Sequence, residues 1–215
     1  MQHRWLTLLS ISVITILVFI FFWIRLQPIE YERPPESSSS IGNIDEPTVT
    51  FINPSRGAAS PTVTIIEYSD FECESCKQIQ SSIETALRTY GGDVRHVWKN
   101  LPNESAHPLA TPAAIAAHCA DQQGAFWDYH DELFEAQSFL SESLFTQIAT
   151  ELELDVKAFT KCYETRDTLP IVRKDYEEGI ALGLIATPTL FINGESVVGA
   201  ITTEELLSYV QQALE

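Results

Sequence analysis

The sequence predicts an α/β domain with a helical insertion, carried behind one apolar segment long enough to cross a membrane. Three observations predict it. Val63–Tyr68 reads VTIIEY, a buried-strand pattern, and a helical pattern and a second strand pattern at Val94–Lys99 follow it. From Pro108 to about Leu182 the pattern is helical, a block of roughly 70 residues that is too long for a simple crossover. Thr189–Ile192, the turn signal Asn193-Gly194 and Glu195–Val198 then read as a hairpin.

The chain has 215 residues, enough for one domain of ordinary size and an appendage. Trp5 to Ile24 is twenty residues without a charge. As a helix it would be about 30 Å long, the thickness of a bilayer's hydrocarbon core, with Trp5 and Trp23 at the two interfaces. A cleaved signal peptide has a shorter apolar core and a small-x-small site; here Arg25, Leu26, Gln27 and Pro28 follow instead. Residues 1–26 are therefore read as an uncleaved single-pass anchor. Its flanking Lys/Arg are tied one against one, and the amino-terminal charge turns the N-terminus inward and the domain outward. Residues 27–46, with Pro28, Pro34, Pro35 and Ser37 to Ser40, form a linker.

The domain proper is expected over 47–215, with the insertion at about 105–182. Thr48–Ile52 is a weak strand candidate. Cys73 to Tyr90 reads as a helix that Gly91-Gly92 stops. Breaks near Gln123-Gly124 and Ser138–Ser141 divide the helical block, and Val156–Cys162 and Pro170–Leu182 continue it. Thr202–Leu214 closes the chain as an amphipathic helix capped by Thr202 or Thr203. The strand–helix–strand unit implies parallel pairing, and the late hairpin adds an antiparallel edge.

All 30 Asp and Glu and 11 of the 13 Lys and Arg lie after residue 26, a net charge of −19. Such a surface repels phosphate backbones, which excludes nucleic acid as a partner.

Chemistry concentrates at Cys73-Glu74-Ser75-Cys76. The first turn of a helix offers unpaired N–H groups and the positive end of its dipole, which stabilise a thiolate. Cys73 is expected to be exposed and nucleophilic, and Cys76, one turn on, to be the inward resolving thiol. Half of a zinc site is the rival reading; such a site wants four ligands, and no second CxxC exists. No metal and no cofactor are expected. Glu67 lies inside the buried strand, where a carboxylate is costly unless paired or protonated; an edge carboxylate facing solvent is the alternative. Cys119 and Cys162 remain. In an oxidising compartment they would bridge, closing a loop of about 43 residues; two buried free thiols are the other reading. Pro188, at the entrance of a strand, is either an edge residue or a cis proline. His107, His118 and His130 are scattered through the insertion, and His118 and His130, in helical stretches, read as packing or surface residues.

VTIIEYSDFECESC, GAFWDYHDELF and GLIATPTLFING closely resemble the DsbA-like family of thioredoxin-fold proteins, over about residues 60 to 214. The resemblance implies a thioredoxin-like fold with an inserted helical subdomain, here preceded by one N-terminal transmembrane helix. It implies a cis Thr187–Pro188 peptide facing Cys73–Cys76, with Thr187 pairing with the backbone of an extended substrate. It also places an acidic residue, here Glu67, beneath the cysteine pair, where it could relay the Cys76 proton.

The chain departs from the family between the cysteines, where strong oxidants carry Pro and His. Glu74 is expected to raise the Cys73 pKa by like-charge repulsion and to make the disulfide a weaker oxidant.

The expected activity is thiol–disulfide exchange on unfolded or partly folded exported polypeptides, recharged by a membrane redox partner, from a monomer. A reductase or isomerase kept reduced in the membrane, and a tethered chaperone-like binding module, are the alternatives.

Overall fold

A computed structural model describes residues 45–215. The expected anchor and nearly all of the linker lie outside the described residues. Among the described residues no helix is long and apolar enough to cross a membrane.

Five strands form one sheet: β1 (Ser55–Gly57), β2 (Val63–Ser69), β3 (Val94–Asn100), β4 (Thr189–Ile192) and β5 (Glu195–Val198), in the order β1-β3-β2-β4-β5. β2 and β3 are parallel and joined by helix α1 (Glu74–Thr89); every other neighbour is antiparallel. Five helices follow β3: α2 (Ala110–Asp121), α3 (Phe126–Glu135), α4 (Glu142–Glu151), α5 (Val156–Thr165) and α6 (Leu169–Ala181). A short 3₁₀ turn, Gln137–Phe139, separates α3 from α4. Helix α7 (Thr203–Leu214) ends the chain, opened by a capping box in which Thr202 and Glu205 satisfy each other's backbone N–H.

The early strand differs from expectation. Residues 48–52 are not a strand. Asn53 Oδ1 accepts from both the backbone N and the hydroxyl of Thr50, at 2.9 and 3.0 Å, and folds the segment into a turn. Phe51 is left fully exposed, and the ladder begins at Ser55.

The period of two on β2 sorts its side chains between two layers. Val63 and Ile65 pack with Ile79, Ile83, Leu206 and Val210 under α1 and α7. Ile66 and Tyr68 face the other way, with Val97, Leu101 and Phe191. A separate core of Trp98, Phe126, Tyr129, Phe145 and Phe159 holds the insertion and reaches Phe71, Cys73 and Cys76. The redox motif thus lies where the insertion meets the sheet. Cys119 in α2 and Cys162 in α5 are bridged, with Cα atoms 5.8 Å apart.

Candidate active site

Asp70 shapes the approach to the cysteines. One of its oxygens accepts from Glu72 N at 2.8 Å; the other accepts from Asn103 N at 2.9 Å and pairs with His107 Nδ1 at 2.7 Å. Burial lowers the His107 pKa, but Asp70 outweighs it and the net shift is upward. Asp70 O in turn accepts from Cys73 N. Cys73 is then the N-cap of α1, its carbonyl accepting from the N–H groups of Cys76 and Lys77. Gln137, from the 3₁₀ turn, donates to the carbonyls of Phe71 and Cys73 at 2.8 and 3.0 Å.

Both Cys73 and Cys76 are free thiols. Cys73, expected to be exposed, is 6% accessible, against none for Cys76. Its sulfur lies 3.1 Å from Ser75 Oγ and 3.5 Å from Thr187 O, and these neighbours take the place of water. The Cys73 pKa falls to about 5. The hydrogen bond from the Cys76 thiol is the largest cause; burial opposes it, and Ser75, Thr187 and the Cys76 backbone N–H add to it. Burial pushes the Cys76 thiol strongly upward, and the adjacent Cys73 sulfur adds to that. Glu74, expected to raise the Cys73 pKa, is exposed and turned towards Gln78 Nε2 at 3.5 Å. The thiol answers instead to groups on its inner side.

The Thr187–Pro188 peptide is cis, and it lies across from Cys73. Ser75 Oγ reaches Thr187 O as well, at 3.2 Å, so one hydroxyl proton has two acceptors. The loop is pinned on both sides: Thr189 Oγ1 donates to Ala186 O and Gly199 N to Pro188 O, at 2.8 and 2.7 Å.

Glu67 is wholly buried, which disposes of the solvent-facing reading. Its Oε1 accepts from Gln80 Nε2 at 2.8 Å, and Gln80 also donates to Cys76 O at 2.9 Å. Its Oε2 lies 2.8 Å from His96 Nε2. Arg56 Nε approaches His96 Nδ1 at 3.4 Å, so Nδ1 is the acceptor and Nε2 carries the proton towards Glu67. Burial raises the Glu67 pKa, but His96 outweighs it and holds the carboxyl below the usual range. Burial lowers the His96 pKa to about 4, against the pull of Glu67. The pair is therefore a carboxylate and a neutral imidazole at neutral pH. Arg56 lies over the Trp127 ring at 4.3 Å and reaches Asp131 at 3.3 Å, which carries the chain of polar groups to the surface. Among the described residues no group of three or more His, Cys, Asp or Glu is placed to hold a metal ion.

A thioredoxin family model matches residues 52–212, strand, redox motif, insertion and hairpin together. The chain belongs to the thioredoxin family. Within that family it carries the fold of the DsbA-like thiol–disulfide oxidoreductases. The thiol–disulfide exchange protein alpha-DsbA2 of Wolbachia pipientis superposes with a TM-score of 0.68 at 19% identity, over 75% of this chain and 87% of that one. Oxidised BdbD of Bacillus subtilis superposes with a TM-score of 0.70 at 22% identity, over 79% and 96%. The curated relatives are larger. The Na(+)/H(+) antiporter NhaA 3 of Salinispora tropica is 35% identical over 158 residues, 74% of this chain but 24% of the relative. NhaA 1 of Mycolicibacterium vanbaalenii is 32% identical over 182 residues, 84% and 29%. The chain thus spans less than a third of these relatives' length.

Sequence reasoning passed over several residues of this thioredoxin-family site. His96 had a readable signal: β2 and β3 are parallel, Ile65 pairs with His96 and Glu67 with Trp98, so Glu67 and His96 share a face. Gln80 stands four residues after Cys76, on the same side of α1. Gln137 had no signal, because only the packing of the insertion brings it to the cysteines.

Proposed function

We propose that this protein is a disulfide-exchanging enzyme that acts on exported polypeptides through Cys73 and Cys76. The observation that carries the reading is the Cys73 sulfur, low in pKa and set between Ser75 Oγ and the Thr187 carbonyl. In the oxidising direction, a client thiolate attacks Cys73 of the Cys73–Cys76 disulfide. Cys76 leaves and takes up a proton. A second client thiolate then attacks the client sulfur of the mixed disulfide and releases Cys73 as thiolate. The client loses two electrons and the enzyme gains them, for a membrane redox partner to remove.

Thr187 and Pro188 bind the client backbone beside Cys73, an edge pairing that tolerates many sequences. Glu67 is the base for Cys76. Burial makes that thiol hard to ionise near neutral pH, and the carboxylate takes its proton when Cys76 must attack. Ser69, two residues on and on the same face of β2, has a buried hydroxyl that acts on both the Glu67 carboxylate and the Cys76 thiol, and it is the relay between them. The Cys119–Cys162 bridge is structural and suits an oxidising compartment. With the uncharged run Trp5–Ile24 it supports a membrane-held domain on the extracytoplasmic side.

A Cys76→Ser variant expressed in the native cell is expected to accumulate mixed disulfides with exported proteins, resolved by a reducing agent on gels. Their absence would favour the binding-module reading instead. Acid quenching and thiol alkylation of the wild type then give the direction: disulfide for an oxidase, dithiol for a reductase or isomerase.

A further inference from the structure

Basic side chains are scarce in the described residues, and half of them fall between Lys157 and Lys174. Elsewhere they are engaged: Arg56 with Asp131, Arg88 with Glu84, Arg95 with backbone carbonyls, Lys99 with Asp175 and Glu178, and Lys77 with Glu135 O. Among the described residues Arg166 and Arg173 have no acidic partner within ion-pair distance. Both line a groove of about 830 Å³. The groove runs between α6, the loop after β3 and the loop before β4, and it ends at Thr187, beside the Cys73 sulfur.

The groove is also apolar. Ile185 is 98% exposed, Ile180 52% and Tyr176 42%. The acidic side chain on its wall, Glu104, accepts from Thr111 Oγ1 at 2.7 Å. Two unpaired guanidinium groups beside exposed isoleucines are unusual where the described residues carry a net charge of −17.

We propose that this groove is the docking site for an extended client segment that carries Asp or Glu among apolar side chains, next to the reacting cysteine. It rests on the redox reading for the identity of the occupant as a client. A strand that pairs with the backbone of Thr187 continues past Ala186 and Ile185 into the groove. Its apolar side chains cover Ile185, Ile180 and Tyr176, and its carboxylates meet Arg166 and Arg173. The rest of the surface repels the same segment, so recognition is local and depends on these two arginines.

The test uses the full-length protein and two fluorescent peptides of identical apolar sequence. One has Glu and the other Lys at two flanking positions, and both have Ser in place of the reacting cysteine. Anisotropy is expected to show the acidic peptide bound about fivefold tighter, the scale of two part-exposed ion pairs. In Arg166→Glu/Arg173→Glu the preference reverses, and Arg173→Glu alone moves it the same way. Ile185→Ser weakens both peptides, about tenfold for the loss of one buried isoleucine. Equal affinities in the wild type, or a preference that survives in both arginine variants, would overturn the groove. The cysteine-containing peptides separate this from the redox reading. Exchange without a charge preference sinks the groove alone, and a charge preference without exchange sinks the redox reading alone.

Discussion

Ser75 has one proton and two acceptors, Cys73 Sγ and Thr187 O. Given to the sulfur, that proton stabilises the thiolate. Ser75→Ala removes it and is expected to raise the Cys73 midpoint from about 5 by about one pH unit, the size of one charge-assisted hydrogen bond. The rate of alkylation against pH, or thiolate absorbance, reads the midpoint directly. The low pKa also sets a stability profile for the dithiol form. A thiol at its ordinary value of 9.0 when unfolded and at about 5 when folded stabilises the fold fully above pH 9. The contribution falls away as pH drops to 5. The disulfide form has no such thiol. Urea midpoints of the two forms should therefore diverge as pH rises from 5 to 9; parallel curves would contradict the depressed thiol. Glu67→Gln tests the buried base. Resolution of a mixed disulfide by Cys76 should slow by about 100-fold near neutral pH and regain speed as pH rises, since the thiol must then ionise unaided. A variant with an unaltered pH profile would leave Glu67 a packing residue. Cys73, Cys76 and Glu67 were legible because each breaks a local pattern: a CxxC opens a helix, a carboxylate interrupts VTIIEY. The burial of Cys73 was not legible, because tertiary neighbours from residues 137 and 187 decide it.

At the scale of elements, the strand–helix–strand unit, the divided helical block and the Asn-Gly hairpin could be read from period and turn chemistry. The first strand could not, because Asn53 diverts Thr50 into a turn by a side-chain bond that β propensity does not register. What holds α6 on the sheet was equally hidden. Lys99 points away from the cysteines, buried between Asp175 Oδ1 at 3.4 Å and Glu178. Asn100 adds a backbone and a side-chain bond to Asp175, at 3.1 and 2.7 Å. This face anchors one wall of the docking groove. Lys99→Met leaves two carboxylates buried without their cation and is expected to cost about 3–5 kcal/mol. Burial already raises the Asp175 pKa, against Lys99 and Asn100, and without Lys99 it rises further. A carboxyl with a raised folded pKa stabilises at low pH and loses that as pH climbs past its unfolded value. The deficit in urea unfolding should thus be smaller at pH 5 than at pH 8; a deficit independent of pH would place its origin in packing alone.

For the whole molecule, the sheet and the insertion are stabilised by different means. The sheet is covered by α1 and α7 on one face, whereas the insertion is a set of short helices of 10 to 13 residues, marginal in isolation. The Cys119–Cys162 bridge ties α2 to α5 across 43 residues. By loop closure such a bridge adds about 4 kcal/mol at most. Bridges of this kind form and persist in oxidising compartments. Cys119→Ala/Cys162→Ala is expected to lower stability by about 2–4 kcal/mol. The loss should fall first on the insertion: amide exchange in α2, α4 and α5 accelerates, while β2 and β3 keep their protection. A reducing agent should destabilise the wild type towards the variant and leave the variant's unfolding midpoint in place. Uniform loss of protection across sheet and insertion would mean that the two unfold as one cooperative unit, and that the bridge supports the cysteine pair's whole setting.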